Sequence, residues 1–193
     1  MLGALPGNLP CGAPPPLIPM PLASPFVLRS ATPEDVPVIL ACIRGLAEYE
    51  KLAHQVVATE ALLHETLFGP RPVAEVILAH HGDEPAGFAL FFHNYSTFLA
   101  QRGIYLEDLF VFPRYRGHGL GRELLARLAR IALDRGCGRL EWSVLDWNVD
   151  AIRFYESVGA KPMTEWTVNR VTGDALHALA ASKGQLRRDE TPE

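Results

Sequence analysis

Two acids, Glu107 and Asp108, interrupt an otherwise apolar run from Ile104 to Phe112, and Arg116-Gly117-His118-Gly119-Leu120-Gly121 follows it. A carboxylate in the middle of an apolar strand is costly unless something pairs or uses it. It can hold a cation, or take a proton from one. The glycine-rich turn opens an amphipathic helix with Leu120, Leu124, Leu125, Leu128, Ile131 and Ala132 on one stripe. Backbone N–H groups at a helix start, backed by its positive end, attract an anion. Close packing of a helix on a sheet would explain the glycines, but not the clustered Arg114, Arg116 and Arg122. The stretch offers a place for phosphate beside a carboxylate.

The strand that carries the acids reads Ile104, Leu106, Phe110 and Phe112 on one side and Tyr105, Leu109 and Val111 on the other. Apolar residues on both sides predict a central strand buried on both faces. Pro113 ends it. The glycines do not space as Gly-x-Gly-x-x-Gly, and no acid follows at the distance a dinucleotide ribose needs. No Gly-Lys-Ser/Thr follows either, which disfavours an ATP loop further.

The elements around this stretch follow from period and punctuation. A short strand is expected from Phe26, then a helix opened by Thr32-Pro33-Glu34-Asp35 with an apolar face of Val36, Ile39, Leu40, Ile43, Leu46 and Ala47. A second helix opens at Thr59-Glu60 and stops at Gly69-Pro70. Strands over 73–80 and 86–95 form a hairpin about Gly82-Asp83-Glu84-Pro85, and residues 94–102 form a loop. The adjacent His80 and His81 face opposite ways in a strand, which makes them a poor metal pair. After the amphipathic helix, residues 139–145 alternate as a strand. Asn148 caps a short helix closed by Gly159, residues 163–171 form a last strand, and Thr172-Gly173-Asp174 caps a final helix. This pattern predicts an α/β or α+β sheet covered by helices.

A length of 193 residues, 48% hydrophobic and 21% charged, fits one globular domain over 26–182. Residues 1–25 hold eight of the 16 prolines and no charged side chain, which predicts a disordered, polyproline-like tail. They lack the basic start and unbroken apolar helix of a secretory signal. Residues 183–193 form a polar tail. The net charge of −4 argues against a nucleic-acid face and suits a cationic small substrate. Cys11, Cys42 and Cys137 are far apart, in no metal spacing, and fit reduced thiols in a cytoplasm. No run has the length of a membrane span.

Arg116 to Gly121 matches the Arg/Gln-x-x-Gly-x-Gly/Ala signature of the GCN5-related N-acetyltransferases (GNAT). Tyr105–Val111 (Tyr-Leu-Glu-Asp-Leu-Phe-Val), Trp147-Asn148, Ile152–Ala160 (Ile-Arg-Phe-Tyr-Glu-Ser-Val-Gly-Ala) and Leu46–Glu50 (Leu-Ala-Glu-Tyr-Glu) appear in the same order. Together they resemble the diamine (spermidine/spermine) and thialysine N-acetyltransferase branch over roughly residues 26–179. The resemblance implies a mixed, mostly antiparallel sheet, splayed at a central parallel strand pair, with helices on both faces. It implies acetyl-CoA as co-substrate, no metal, a small-molecule amine as acceptor, no nucleic acid or membrane partner, and a homodimer.

Acetyl transfer to an amine needs that amine neutral, although free alkyl amines have a pKa of about 10. It also needs an oxyanion donor and a proton for the departing thiolate. Glu107 is the candidate base, directly or through water, and pairing with an arginine is its structural alternative. At ~4 Å and an effective dielectric near 20 its attraction for a cationic amine is about 4 kcal/mol before desolvation. Tyr155 would be core by pattern alone; the resemblance at Phe154-Tyr155-Glu156 implies the general acid. It also implies cofactor contacts from Leu109, Phe110 and Val111 across a strand bulge, from Arg116, Gly117, His118, Gly119, Leu120, Gly121 and Arg122 around the pyrophosphate, and from Asn148, Val149, Asp150 and Ala151. His118 is expected to face solvent. Tyr49 and Glu50 match the amine-binding pair, and Asp146 and Glu165 could add negative charge. Trp142 and Trp147 could wall an amine channel or pack in the core, and core is the default. Asn94-Tyr95-Ser96-Thr97-Phe98 lacks the acid that polyamine-specific relatives carry there, which favours shorter diamines or thialysine-like amino acids. Two other classes stand beside it. One is a protein lysine or N-terminal acetyltransferase, with which the Glu50 and Glu107 acids are compatible. The other is a non-catalytic acyl-CoA-binding module, which predicts a broken base or acid although both Glu107 and Tyr155 are present.

Met20 is a candidate native start. Mass spectrometry of the natural N-terminus is then expected to find no residue before Met20, and peptides from 1–19 would remove that reading.

Overall fold

The structure, a computed structural model, describes residues 24–182. The proline-rich stretch to residue 23 and the polar stretch 183–193, with Met20 in the first, lie outside the described residues. The chain divides into two compact units at Leu145 and Asp146, taken in turn.

The first unit is built on a five-stranded sheet in the order of the chain: β1 (Phe26–Ser30), β2 (Glu75–His81), β3 (Glu84–Ser96), β4 (Gln101–Val111) and β5 (Leu140–Trp142). Neighbours are antiparallel except β4 and β5, which are parallel over Ile104–Leu106 and Leu140–Trp142 only. β4 continues to Val111 without β5 beside it, which is the splay the resemblance implies. Helices α1 (Val36–Tyr49), α2 (Glu60–Phe68) and α3 (Leu120–Asp134) cover the sheet.

A bulge in β4 governs which residues face which helix. Leu90 pairs with Asp108 while Phe91 pairs with Leu106, so Glu107 is an extra residue without a partner across the ladder. Because strand side chains alternate, one extra residue moves all later ones to the opposite face. Ile104 and Leu106 therefore share a face with Phe91, while Phe110 shares the other with Phe88. The single apolar side expected for Ile104, Leu106, Phe110 and Phe112 is split in two. Phe110 and Phe88 pack with Val36, Ile39, Leu40 and Cys42 of α1 and Leu63 and Leu67 of α2. Opposite them, α3 buries Leu120, Leu124, Leu125, Leu128 and Ala132. Gly45 of α1 lies flat on Phe110, where a Cβ would meet the ring at 2.7 Å. Nor is β4 buried throughout on both faces: Tyr105, Leu109 and Val111 are only half-buried, since pairing with β5 stops at Leu106.

Other boundaries shift for local reasons. The β2–β3 turn is only Gly82-Asp83, with Gly82 at φ +58°, as a two-residue hairpin requires. Glu84 and Pro85 already belong to β3. The expected loop shrinks to residues 97–100, because cross-strand pairing reaches Ser96 and Gln101. The strand expected over 139–145 is cut to Leu140–Trp142.

The second unit holds α4 (Val149–Ser157) and α5 (Gly173–Ala181). The strand expected at 163–171 is absent. Those residues have no ladder partner among the described residues, and Met163, Trp166 and Val168 are 64%, 72% and 79% exposed. Alternation without a neighbouring edge makes no strand. Trp147 is not core either, at 51% exposure.

The β1–α1 corner rests on Asp35. Arg29 donates to both its oxygens at 2.6 and 2.7 Å, and the Thr32 N–H donates at 2.7 Å. These bonds hold its carboxyl far below the usual range, the Arg29 hydrogen bond first among them. A depressed carboxylate stabilises the fold above its unfolded pKa, ordinarily 3.8, and loses that contribution as pH falls through its folded value. Asp35→Asn is expected to cost about 2 kcal/mol in urea unfolding near neutrality. The difference from wild type should shrink as the pH is taken below that ordinary value; a difference that grows on acidification would contradict the pairing.

Candidate active site

Between β4 and α3 the chain makes a short 3-10 turn, Pro113–Tyr115, and then the glycine-rich turn. Gly117 and Gly119 sit at φ +78° and +86°, conformations that side chains with a Cβ rarely adopt. Gly119 is the N-cap of α3 and no side chain caps the helix. The first intrahelical bond runs from the Glu123 N–H to the Gly119 carbonyl at 3.1 Å, so the N–H groups of Leu120 and Gly121 precede the helical ladder. Residues 116–119 are exposed. His118 is among them, its ring Nδ1 at 2.8 Å from the Arg116 carbonyl. The turn is open, with the helix-start N–H groups that an anion site requires.

The Arg116 side chain turns away from that cradle. Its Nε donates to the Val111 carbonyl at 2.9 Å, and its guanidinium lies 4.6 Å from the Tyr49 ring centroid and 5.7 Å from that of Phe110. It ties the end of α1 to the end of β4.

The bulge also redirects the backbone of β4. The Ile104 N–H donates to the Arg139 carbonyl, on the β5 side, whereas the Phe112 N–H donates to Ala86, on the β3 side. Strict alternation cannot reverse parity in that way; the extra residue at Glu107 does. Beyond it, alternation directs the N–H groups of Leu109 and Val111 away from β3, into the space where β5 no longer pairs.

Three carboxylates gather near the bulge. Glu107 is exposed, while Asp108 and Glu50 are half-buried, and among the described residues none of them has a basic partner. Burial pushes the Asp108 carboxyl up to about 6, and the negative charges of Glu107 and Glu50 add to the effect. Burial raises Glu50 as well. Asp108, raised to about 6, is partly protonated near neutrality and can exchange a proton with an amine.

The residues expected in the second unit lie on its own elements. Asn148 is the N-cap of α4; its side-chain oxygen accepts from the Ala151 N–H at 3.3 Å. Val149, Asp150 and Ala151 form the first turn of α4, and Tyr155 lies on the same helix. Asp146 and Glu165 stand in exposed turns.

An open helix-start cradle beside a splayed parallel strand pair is a fold-level signature, and the sequence carries the family pattern to match. The profile of the acetyltransferase (GNAT) family matches residues 43–160. The chain belongs to the GNAT family. This GNAT chain is 39% identical to an L-ornithine N5-acetyltransferase of Arabidopsis thaliana, over 79% of its own length and 86% of the relative's. It is 40% identical to the thialysine N-epsilon-acetyltransferase of Mus musculus, over 79% and 96% of the two chains. Among solved structures, an integron cassette protein from the mobile metagenome of V. cholerae superposes with a TM-score of 0.70 at 28% identity, covering 83% of this chain and all of the other.

Asp108 is the residue that sequence reasoning passed over in favour of Glu107. The signal was a second acid beside the first; its direction depends on the bulge, which a period-two reading does not contain. A carboxyl raised in the folded state is protonated there while ionised in the unfolded chain, so it reduces stability as pH rises from its ordinary 3.8 through about 6. Asp108→Asn mimics the protonated form. In urea unfolding the variant should match wild type near pH 3 and become more stable above about pH 4, by up to about 3 kcal/mol once past neutrality. A gap that is constant, or that widens toward acid, would contradict a raised Asp108.

Proposed function

We propose that this chain moves an acetyl group from acetyl-CoA to a primary amine of a small diamine, polyamine or thialysine-like amino acid by direct transfer. The observation that carries the reading is the meeting, around one strand end, of an anion cradle, two N–H groups facing a gap, and three carboxylates without basic partners. Acetyl-CoA, when bound, supplies an activated thioester and a diphosphate. The donors fit it: the N–H groups at the start of α3 suit the diphosphate, and those of Leu109 and Val111 suit a thioester oxygen and its amide arm. The carboxylates Glu50, Glu107 and Asp108 attract a cationic acceptor. Glu107, exposed and directly at the bulge, takes the ammonium proton, directly or through water, and Asp108 provides a second acceptor poised near neutrality. Tyr155 gives its proton to the departing sulfur; the family pattern at Phe154-Tyr155-Glu156 supports that role.

The relatives' names, ornithine and thialysine N-acetyltransferases, favour a short dibasic amino acid or diamine, and the missing acid in residues 94–98 points the same way. A homodimer is the assembly the resemblance implies. The free thiols of Cys42 and Cys137 fit a reducing cytoplasm.

The test is steady-state release of free CoA from acetyl-CoA with putrescine, spermidine, spermine, ornithine, thialysine and lysine in parallel, and a lysine peptide as control. Turnover is expected on the short dibasic acceptors and to be slower on spermine. Turnover confined to the peptide would move the function to protein substrates. Glu107→Gln and Tyr155→Phe are each expected to lower kcat by about a hundredfold or more while acetyl-CoA still binds. Full turnover in both variants at every pH would overturn the two roles.

A further inference from the structure

The glycine turn is flanked on its strand side by a cluster that the reaction does not use. The Tyr115 hydroxyl donates to the Glu84 carboxylate at 2.6 Å, and Arg114 pairs with the same carboxylate at 3.1 Å. The Tyr115 ring packs edge-on against Phe26, with centroids 5.9 Å apart, and lies 5.5 Å from the His81 ring. The Arg114 guanidinium sits 5.0 Å over Tyr115 and 5.9 Å over Phe112. Glu84 opens β3 immediately after the two-residue turn from β2. The residue directly before Arg116 is thereby pinned to the tip of the β2–β3 hairpin and to β1.

A turn with two left-handed glycines has wide conformational freedom, and ordering it at the moment of binding would weaken that binding. Restraint must come from its ends. One end is α3, packed through Leu120 and Leu124. The other is Arg116, tied to the Val111 carbonyl, with Tyr115 directly before it.

We propose that Tyr115, held by Glu84, is a positioning residue that preorders the turn for the diphosphate of the cofactor. The inference rests on the cofactor reading above. It gives the β2–β3 hairpin tip a task in cofactor binding, although neither residue belongs to the Arg-x-x-Gly-x-Gly signature. Glu84 and Arg114 are exposed, so the ion pair alone would do little. The hydroxyl–carboxylate bond on a packed ring is what fixes the turn.

The experiment measures KM for acetyl-CoA, KM for the amine, and kcat for wild type, Tyr115→Phe, Glu84→Ala, Glu84→Gln and the Tyr115→Phe/Glu84→Ala double variant. Loss of either partner is expected to raise KM for acetyl-CoA by about three- to tenfold, the size of one partly screened charge-assisted hydrogen bond. The amine KM and kcat should hold. The double variant should be no worse than the worse single one, and Glu84→Gln, which still accepts from the hydroxyl, should recover part of the loss. A wild type that saturates with acetyl-CoA beside variants of unchanged KM overturns the strut alone. Additive losses, or equal changes in both KM values, overturn it too. A wild type that never saturates with acetyl-CoA overturns the cofactor reading and this inference with it. Glu84→Ala lies at an exposed strand end, and keeps the test open should Tyr115→Phe fold poorly.

Discussion

The one residue of β4 that has no partner across the ladder, Glu107, decides the direction of everything after it. Before it, the strand gives N–H groups to β5 and side chains Ile104 and Leu106 to the face of Phe91. After it, side chain Phe110 joins the α1 core, and the N–H groups of Leu109 and Val111 turn toward the gap. A strand without the bulge could satisfy one of these demands but not both, because side-chain and hydrogen-bond directions alternate together. Core packing and the gap-facing donors are thus settled by the same two-against-one pairing. The buried Phe110, wedged against Gly45, makes slipping back costly.

Charge follows from that geometry. The bulge exposes Glu107 and turns Asp108 toward the end of α1, where Glu50 lies in its field. Arg116 stacks on Tyr49 instead of pairing with these acids, so their negative charge stays available to a cation. On the proposed reading, one strand irregularity serves the acyl group through the backbone and the amine through side chains. Fold stability gives something up for it, since Asp108 ionises against its surroundings.

Local signals were the most legible in the sequence. The α3 stripe, the Thr59 cap of α2, the Asn148 cap of α4 and the closing Gly159 each depend on residues three or four positions apart, and each stands where its chemistry places it. The glycine turn was legible as the start of α3 for the same reason. Pairing was not. The bulge at Glu107 needs a count of residues on two strands, so the sides of β4 were misread from one. Polar residues Ser96, Gln101 and Arg102 read as loop, although cross-strand pairing carries them as strand. At 163–171 the opposite happened: alternation was present, but no partner strand stands among the described residues. Asp108 was visible as an acid, but its burial follows from the bulge and so stayed out of reach.

In the proposed site acetyl-CoA lies in the β4–β5 splay against the N–H groups of Leu109 and Val111 and the start of α3. The most direct measurement follows the backbone amide signals of the isotopically labelled protein as acetyl-CoA is added without acceptor. Saturating shifts are expected at Leu109 and Val111 together with Gly117, Gly119, Leu120 and Gly121. Saturable binding that leaves Leu109 and Val111 unmoved, with the shifts gathered elsewhere on the sheet, would contradict it.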